Sequence, residues 1–314
     1  MTPMSATEVF EAERPRLARL AYRMLGTPDD ADDVVQDAWL RWRHTTLEDI
    51  DNPAAWLTTT TTRLAIDRLT SARRRREVYV GPWLPEPLTI DPVAGGTRVA
   101  RSAMSSVDPA IAAVGNESLE LGLLRVFETL SPVERAVFLL HDVFGYPFEQ
   151  ISSIVDKTPA TTRQIARRAR DRVRSGRPRL DAEPADIGAW SAAFFGAIVG
   201  GDVDRLVSML TADVVHISDG GTERRAGRRP VVGSDRVARL LINLTNRSLS
   251  PDDELHWLRV NGQIGLYVVR DGGPFMLTVI GWQNGSVAEL LALLNPAKLA
   301  RFHARWLEAG PLDT

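Results

Sequence analysis

The stretch from Ser131 to Arg174 constrains the fold most: two tight turns interrupt helical sequence there, and its last segment is dense in arginine. Ser131 is a ready N-cap, Pro132 suits the first helical position, and Glu134 stands where a capping box puts its carboxylate. An apolar run reaches Val143 and ends in the turn Phe144-Gly145-Tyr146-Pro147. A second helix over Phe148–Val155 breaks at Asp156-Lys157, and Thr158-Pro159 repeats the cap-then-proline start. Beyond Pro159, at about 100° per residue, two faces separate. Thr162, Ile165, Ala166, Ala169 and Val173 form a small inner face, while Ala160, Arg163, Gln164, Arg167, Arg170 and Arg174 lie opposite. A short helix, a tight turn and a second helix of this kind make a helix-turn-helix. Arginine pairs bidentately with guanine and glutamine with adenine, and residues near the helix start enter the major groove first. The later arginines suit phosphates. A solvated basic face is the plain alternative, but the turn, the two caps and the small inner face favour DNA binding.

The 314 residues are enough for two or three domains. The net charge of −2 conceals a basic run at Arg73–Arg76 and the basic helix, so local patches matter more than the sum. The absence of cysteine excludes disulfides, thiolate chemistry and cysteine-based zinc sites. No metal-spaced cluster, catalytic triad or Gly-rich phosphate loop occurs, so neither metal nor cofactor is expected. No apolar stretch approaches membrane-spanning length and no signal-peptide pattern opens the chain. The expectation is a cytoplasmic protein with no membrane partner.

Toward the N-terminus, Val9, Phe10, Leu17, Leu20, Ala21 and Met24 make a helical stripe that closes at Gly26. Thr27-Pro28-Asp29-Asp30 opens a second helix with acids where the dipole favours them. Its apolar side is Val34, Val35, Ala38, Trp39 and Trp42, which leaves Asp32, Asp33, Gln36 and Asp37 as an acidic surface. Asn52-Pro53 opens a long helix with Trp56, Leu57, Leu64 and Leu69 that closes in the arginine run. By residue pattern alone this is a three-helix bundle with charged ends.

The run Asp29 to Arg41 resembles the second region of bacterial sigma factors. Asn52 to Leu57 and Arg63 to Leu69 resemble the promoter-melting segment that follows it, and Ser131 to Val173 resembles their fourth region. The spacing, with no third region, is similar to the extracytoplasmic-function group. The resemblance implies that Asp33, Gln36 and Asp37 bind the clamp helices of the β′ subunit of core RNA polymerase. It implies that the Asp49–Asn52 loop, with Asn52, and then Trp56, Thr59, Thr62, Arg63, Arg68, Arg73 and Arg74 meet the −10 promoter element. Melted DNA needs pockets for splayed bases and cations for its backbone. Five consecutive threonines, Thr58 to Thr62, depart from relatives that mix larger and basic residues there. The −35 element falls to Ala160, Arg163, Gln164, Arg167, Arg170 and Arg174.

Glu77 to Asn116 lacks sustained periodicity and carries Pro82, Pro85, Pro87, Pro92 and Gly95-Gly96, which reads as an irregular connector. Trp83-Leu84-Pro85-Glu86-Pro87-Leu88 spends a tryptophan and two leucines, so it is expected to dock. It resembles a signature of a sigma subgroup with a fused C-terminal SnoaL-like domain. Beyond Pro184 the sequence fits that independently. Apolar helices over Ile187–Val199 and Val203–Leu210 precede a strand at Val214–Ser218 and a helix over Ser234–Asn246. Three strand-like runs follow, Leu255–Val260, Ile264–Arg270 and Phe275–Trp282, each ending in a turn, Asn261-Gly262, Asp271-Gly272-Gly273 and Asn284-Gly285 in that order, which signals hairpins. The expected fold is therefore multidomain: two all-α modules and an α+β SnoaL-like, nuclear-transport-factor-2-like cone. The boundaries read 1–76 for region 2, 77–116 for the linker, 117–180 for region 4 and 185–314 for the C-terminal domain.

In the subgroup the fused domain controls the sigma core without a separate anti-sigma factor. Its motifs match Trp83, Leu84 and Pro85, Asp219-Gly220-Gly221, and Asn295-Pro296-Ala297-Lys298-Leu299, although Thr222-Glu223 replaces the usual continuation of the second. The fold commonly encloses a pocket, so a small hydrophobic ligand is among the expected partners beside core polymerase and promoter DNA. His216, Asp219 and His256 are the candidate catalytic groups if the domain were an enzyme tethered to DNA. A one-component DNA-binding regulator with a ligand-sensing pocket is the other alternative, but it needs neither the acidic helix nor a melting segment.

Overall fold

The computed structural model describes residues 5–46, 50–76, 79, 81–87, 90–92, 121–176 and 187–308, with only the backbone for 72–76, 90–92 and 187. Asp49, Leu88, Gly95-Gly96 and the rest of the linker from 93 to 120 lie outside the described residues. The chain divides into two units, residues 1–78 with 124–176 and residues 79–123 with 177–314.

The first unit is helical: α1 (Ala6–Leu25), α2 (Pro28–Arg43), α3 (Pro53–Arg76), α4 (Leu121–Phe127), α5 (Pro132–Phe138), α6 (Phe148–Ile154) and α7 (Pro159–Gly176). The expected caps form. Ser131 and Glu134 exchange the two bonds of a capping box, and Ser5 and Glu8 make a second one. Gly26 ends α1 at φ 73°, its N–H donating to the Tyr22 carbonyl. Phe10, Leu17, Leu20, Met24, Val34 and Trp42 bury the stripes of α1 and α2. After α5 the helix widens into a π turn over Leu139–Val143, closed by Phe144 N–H on the Leu139 carbonyl at 3.0 Å. Arg135 is 3% exposed; it donates to the Met24 and Phe127 carbonyls at 2.6 Å each and pairs with Glu128 at 2.9 Å. That shell surrounds the two terminal nitrogens of a buried cation with two carbonyls and a carboxylate and ties α5 to the end of α1.

The second unit is one seven-stranded sheet with helices on both faces, counted among the described residues. Its strands are β1 (Ile90–Pro92), β2 (Leu210–Asp219), β3 (Val231–Val232), β4 (Glu254–Val260), β5 (Gln263–Arg270), β6 (Gly273–Gln283) and β7 (Ser286–Leu293), in the order β1-β4-β5-β6-β7-β2-β3. The three hairpins turn at Asn261-Gly262, Asp271-Gly272 and Asn284-Gly285, with positive φ at all six residues, as two-residue primed turns require. The pair β2–β7 is parallel and the rest antiparallel. Register shifts in β2–β7, β5–β6 and β6–β7 bend the sheet into a cone. The linker is not wholly irregular: Ile90–Pro92 pairs with β4 and covers what would be an open edge.

Alternation along the strands sorts two cores. One holds Leu84, Ile217, Leu258, Tyr267, Leu291 and, from helix α11 (Pro296–Glu308), Leu299, Phe302 and Trp306. The other holds Ile264, Ile280, Trp282 and Leu290 under α8 (Ile187–Val199), α9 (Val203–Met209) and α10 (Ser234–Ser248).

Candidate promoter and polymerase surfaces and the linker clasp

In α7, Thr162, Ala166, Ala169 and Val173 are buried, and Ala160, Arg163, Gln164, Arg167 and Arg174 are exposed. The turn before it places Asp156 at φ 53° and bonds Lys157 N–H to the Ser152 carbonyl at 3.0 Å. The face is not uniform. Arg163 pairs with Glu149 at 3.0 Å and lies over Phe148, and the half-buried Arg170 pairs with Asp142 at 2.6 Å. Among the described residues no hydrogen bond or ion pair holds the side chains of Gln164, Arg167 or Arg174.

On α2, Asp33, Gln36 and Asp37 are exposed on one side. Asp33 and Asp30 both grip Arg68 of α3, at 2.6 Å and 2.7 Å, so an expected polymerase contact and an expected DNA contact neutralise each other. The rest of α3 departs from a simple reading surface. Trp56 is half-buried against Trp42, with ring centroids 5.4 Å apart, and Asn52 caps the helix through Ala55 N–H at 3.0 Å. Thr58 and Thr59 return their hydroxyls to carbonyls four residues back, which satisfies a polar group inside a helix. Thr62 is fully buried and touches no solvent, so DNA cannot reach it in this arrangement. Arg63 donates to the Ile154 and Ser153 carbonyls at the end of α6, at 3.0 and 2.8 Å. Arg16, Thr58 and Tyr146 form a closed triangle of hydrogen bonds of 2.7, 2.8 and 3.0 Å. Of Arg73 and Arg74 only the backbone is described.

The densest polar site lies in the second unit around Asp219. Its carboxylate is 1% exposed. Oδ2 accepts from Leu84 N–H at 2.9 Å and Lys298 Nζ at 2.8 Å; Oδ1 accepts from Gly221 N–H at 3.1 Å and from the Tyr79 hydroxyl. Four donors fill its acceptor sites. Lys298 also donates to the Leu84 carbonyl and stands 4.0 Å over the Trp83 ring. Asn295 donates to Tyr79 at 2.7 Å and caps α11 through Ala297 N–H, with Pro296 in the first turn. A Cβ on Gly220 would lie 2.3 Å from the Arg224 carbonyl oxygen, and one on Gly221 2.6 Å from the Asn295 amide, so neither position has room for a side chain. Arg301 pairs with Glu86 at 2.9 Å and Arg305 donates to the Pro87 carbonyl at 2.7 Å, so α11 holds the linker along its length. Pro85 is buried beside them. Sequence reasoning missed Tyr79, Glu86, Arg301 and Arg305. The signal available was a basic i,i+4 pair on one face of α11 and a lone acid inside an apolar motif.

The three candidate catalytic groups do not converge. His216 and Asp219 point to opposite faces of β2, and His256 lies tilted against Trp306 of the linker-side core, with centroids 5.0 Å apart. Among the described residues no cluster of three or more metal-ligating side chains occurs, and no helix is long and apolar enough to cross a membrane.

Comparison with known proteins identifies the helical modules. Residues 9–75 match Sigma-70 region 2, and residues 121–173 match Sigma-70 region 4. The chain is 37% identical over 305 residues to the ECF RNA polymerase sigma factor SigJ of Mycobacterium tuberculosis, with 92% of this chain and 91% of that one covered. This chain is an extracytoplasmic-function sigma factor. It is also 36% identical over 302 residues to the probable sigma factor SigI of Mycobacterium tuberculosis, covering 96% and 92% of the two chains. The crystal structure of Mycobacterium tuberculosis SigJ superposes with a TM-score of 0.69 at 33% identity, covering 97% of this sigma factor and 99% of that chain. The sigma factor therefore carries regions 2 and 4 followed by a C-terminal α+β domain, and it serves transcription initiation with RNA polymerase at promoter DNA.

The C-terminal domain of the sigma factor holds a partly open cavity of about 580 Å³ between the sheet and helices α8 and α10. Its walls are largely apolar. His216 lines it, is 5% exposed, and has its pKa pushed down to about 4 by burial, so it is neutral at pH 7.

Proposed function

We propose that this sigma factor is controlled in cis, with the C-terminal domain holding the linker between regions 2 and 4. The Asp219–Lys298 clasp on Tyr79–Leu84 carries this reading. The far end of the linker is held as well: Leu121 N–H donates to Gln263 at 2.9 Å, and Leu121 joins the linker-side core. A domain that grips both ends of a connector limits how far the joined regions separate. Control of this kind needs no separate anti-sigma factor.

Within the sigma core, Gln164, Arg167 and Arg163 read bases of the −35 element, with Ala160 beside them. Arg170 and Arg174 serve phosphates. Asp33, Gln36 and Asp37 meet the polymerase clamp helices. The −10 element falls to α3 and its preceding loop, through Asn52, Trp56, Thr59, Arg63, Arg68, Arg73 and Arg74. Two of these, Arg63 and Arg68, are committed to internal partners, so the arrangement is a resting one that must open on the promoter. In this reading the C-terminal domain regulates and does not turn over a substrate. The dispersal of His216, Asp219 and His256 supports that role. Run-off transcription by the full chain carrying Lys298→Ala or Trp83→Ala tests it: both variants are expected to exceed wild type, and activity equal to or below wild type in both overturns it.

A further inference from the structure

The cavity in the C-terminal domain and the linker clasp share a wall. Along β2, His216 and Ser218 face the cavity, while Ile217 joins the linker-side core and Asp219 holds Leu84 and Lys298. The loop after β2 extends the same connection. It starts at the clasp with Asp219-Gly220-Gly221 and then supplies Glu223, Arg224, Arg225 and Arg229 to the cavity lining. The linker also runs beside the loop: a Cβ on Gly81 would lie at ordinary van der Waals distance, 3.5 Å from the Gly227 carbonyl oxygen and 3.6 Å from the Arg228 Cα. Ser218 accepts Gly227 N–H at 2.8 Å and ties the loop to the cavity wall.

The lining specifies a chemistry. Its volume of about 580 Å³ falls among small-molecule sites, which run from roughly 300 to 1,000 Å³. Helix α10 turns Leu240, Leu241 and Leu244 toward it, and Leu244 remains 43% exposed, so apolar surface is left for an occupant to cover. The His216 imidazole has no hydrogen-bond partner among the described residues, although it is 5% exposed. A buried polar group of that kind calls for a partner. Ser218 has already accepted from Gly227 and keeps its hydroxyl proton to donate. Three arginines against one glutamate give the β2 loop a positive excess. Apolar walls, neutral hydrogen-bonding groups and a cationic loop together suit an apolar body ending in a carboxylate.

We propose that this cavity is a binding site for a small amphipathic carboxylic acid, and that the loop from Asp219 to Arg229 passes its occupancy to the linker clasp. The second half rests on the cis-control reading above; the first half does not. His216 and Ser218 hydrogen-bond the carboxylate oxygens, and Arg225 and Arg229 supply the compensating charge. Binding moves the loop that begins at Asp219 and carries Gly227 and Arg228 beside Gly81, and so loosens or tightens the grip on Leu84.

The test uses the full chain and two acid probes, decanoate and 2-naphthoate, each paired with its neutral alcohol and its cationic amine. Titration is followed by calorimetry, below the micellar range. At least one acid is expected to bind tenfold or more tighter than its matched amine. Leu241→Trp, which fills the cavity, abolishes binding, and Arg225→Glu with Arg229→Glu weakens the acid at least tenfold while sparing the alcohol. Absence of binding by both acids, equal binding of acid and amine, or binding undisturbed by Leu241→Trp overturns the site. Hydrogen exchange of the Leu84 amide, which is bonded to Asp219, then reads the coupling. A severalfold change at saturating acid is expected, and unchanged exchange overturns the coupling while leaving the site. Neither readout depends on transcription, so failure of the cis-control reading is detected separately.

Discussion

His216 and Asp219 sit three residues apart on one strand and do opposite things. His216 is a neutral imidazole kept from protonation by burial, and Asp219 is a carboxylate with its acceptor sites filled. The histidine makes stability depend on pH with a definite sign. Unfolded, it takes a proton below its ordinary value of 6.5; folded, not until about 4. Stability is therefore full above the unfolded value and falls as pH drops through that window. The loss is about 2 kcal/mol between pH 7.5 and pH 5. Urea melts of wild type and His216→Gln at both pH values check this: the variant should lose about 2 kcal/mol less, and parallel losses would contradict it. On α7 the ion pairs divide the basic face. In the proposed reading Gln164 and Arg167 can meet DNA without first breaking a partner, whereas Arg163 must leave Glu149. Arg167→Ala should remove about 1–3 kcal/mol of discrimination at one base pair. Arg174→Ala should weaken all sequences alike and reduce the salt slope by about one. Holoenzyme binding to single-base promoter variants, measured at several salt concentrations, separates the two.

At the scale of elements, α11 is both a core helix and the jaw of the clasp. Leu299, Phe302 and Trp306 bury one side, and Lys298, Arg301 and Arg305 reach the linker from the next. Removing one partner of a buried, fully bonded ion pair leaves the other uncompensated. Lys298→Met should therefore cost about 3–5 kcal/mol in C-terminal-domain stability, measured by urea denaturation. A loss under about 1 kcal/mol would place the pair in the class of solvent-screened contacts. Much of this architecture was legible in the sequence. The capping box at Ser131, the Asn-Gly and Asp-Gly turns and the small inner face of α7 are local signals, and each forms where its residues stand. The docking of Trp83–Pro87 was legible from its apolar cost, but its partners were not. Tyr79 meets Asn295, and Arg301 meets Glu86, across more than two hundred residues, and no periodicity carries such pairing. The burial of Thr62 was hidden for the same reason: a threonine run has no amphipathic contrast to mark its inner side. The π turn after α5 was invisible because one widened turn leaves the apolar pattern intact.

For the whole molecule, regions 2 and 4 pack as one unit, and the segment that joins them belongs to the other. Arg63 on the α6 carbonyls and the Arg16–Thr58–Tyr146 triangle close α3 against region 4. In the proposed account, engaging two separated promoter elements opens that packing, and the clasp on the linker opposes the separation. Arg63→Ala should therefore ease opening, and a donor–acceptor dye pair in regions 2 and 4 should report a longer mean separation than in wild type; an unchanged distance would contradict the closed arrangement. The central claim is that the C-terminal domain restrains the sigma core through its grip on the linker. Multi-round run-off transcription at equal occupancy of core polymerase tests it most directly, with wild type, Trp83→Ala and Lys298→Ala as full-length chains. The account predicts that both variants transcribe severalfold more than wild type, with core binding unchanged. Transcription equal to or below wild type in both would contradict it.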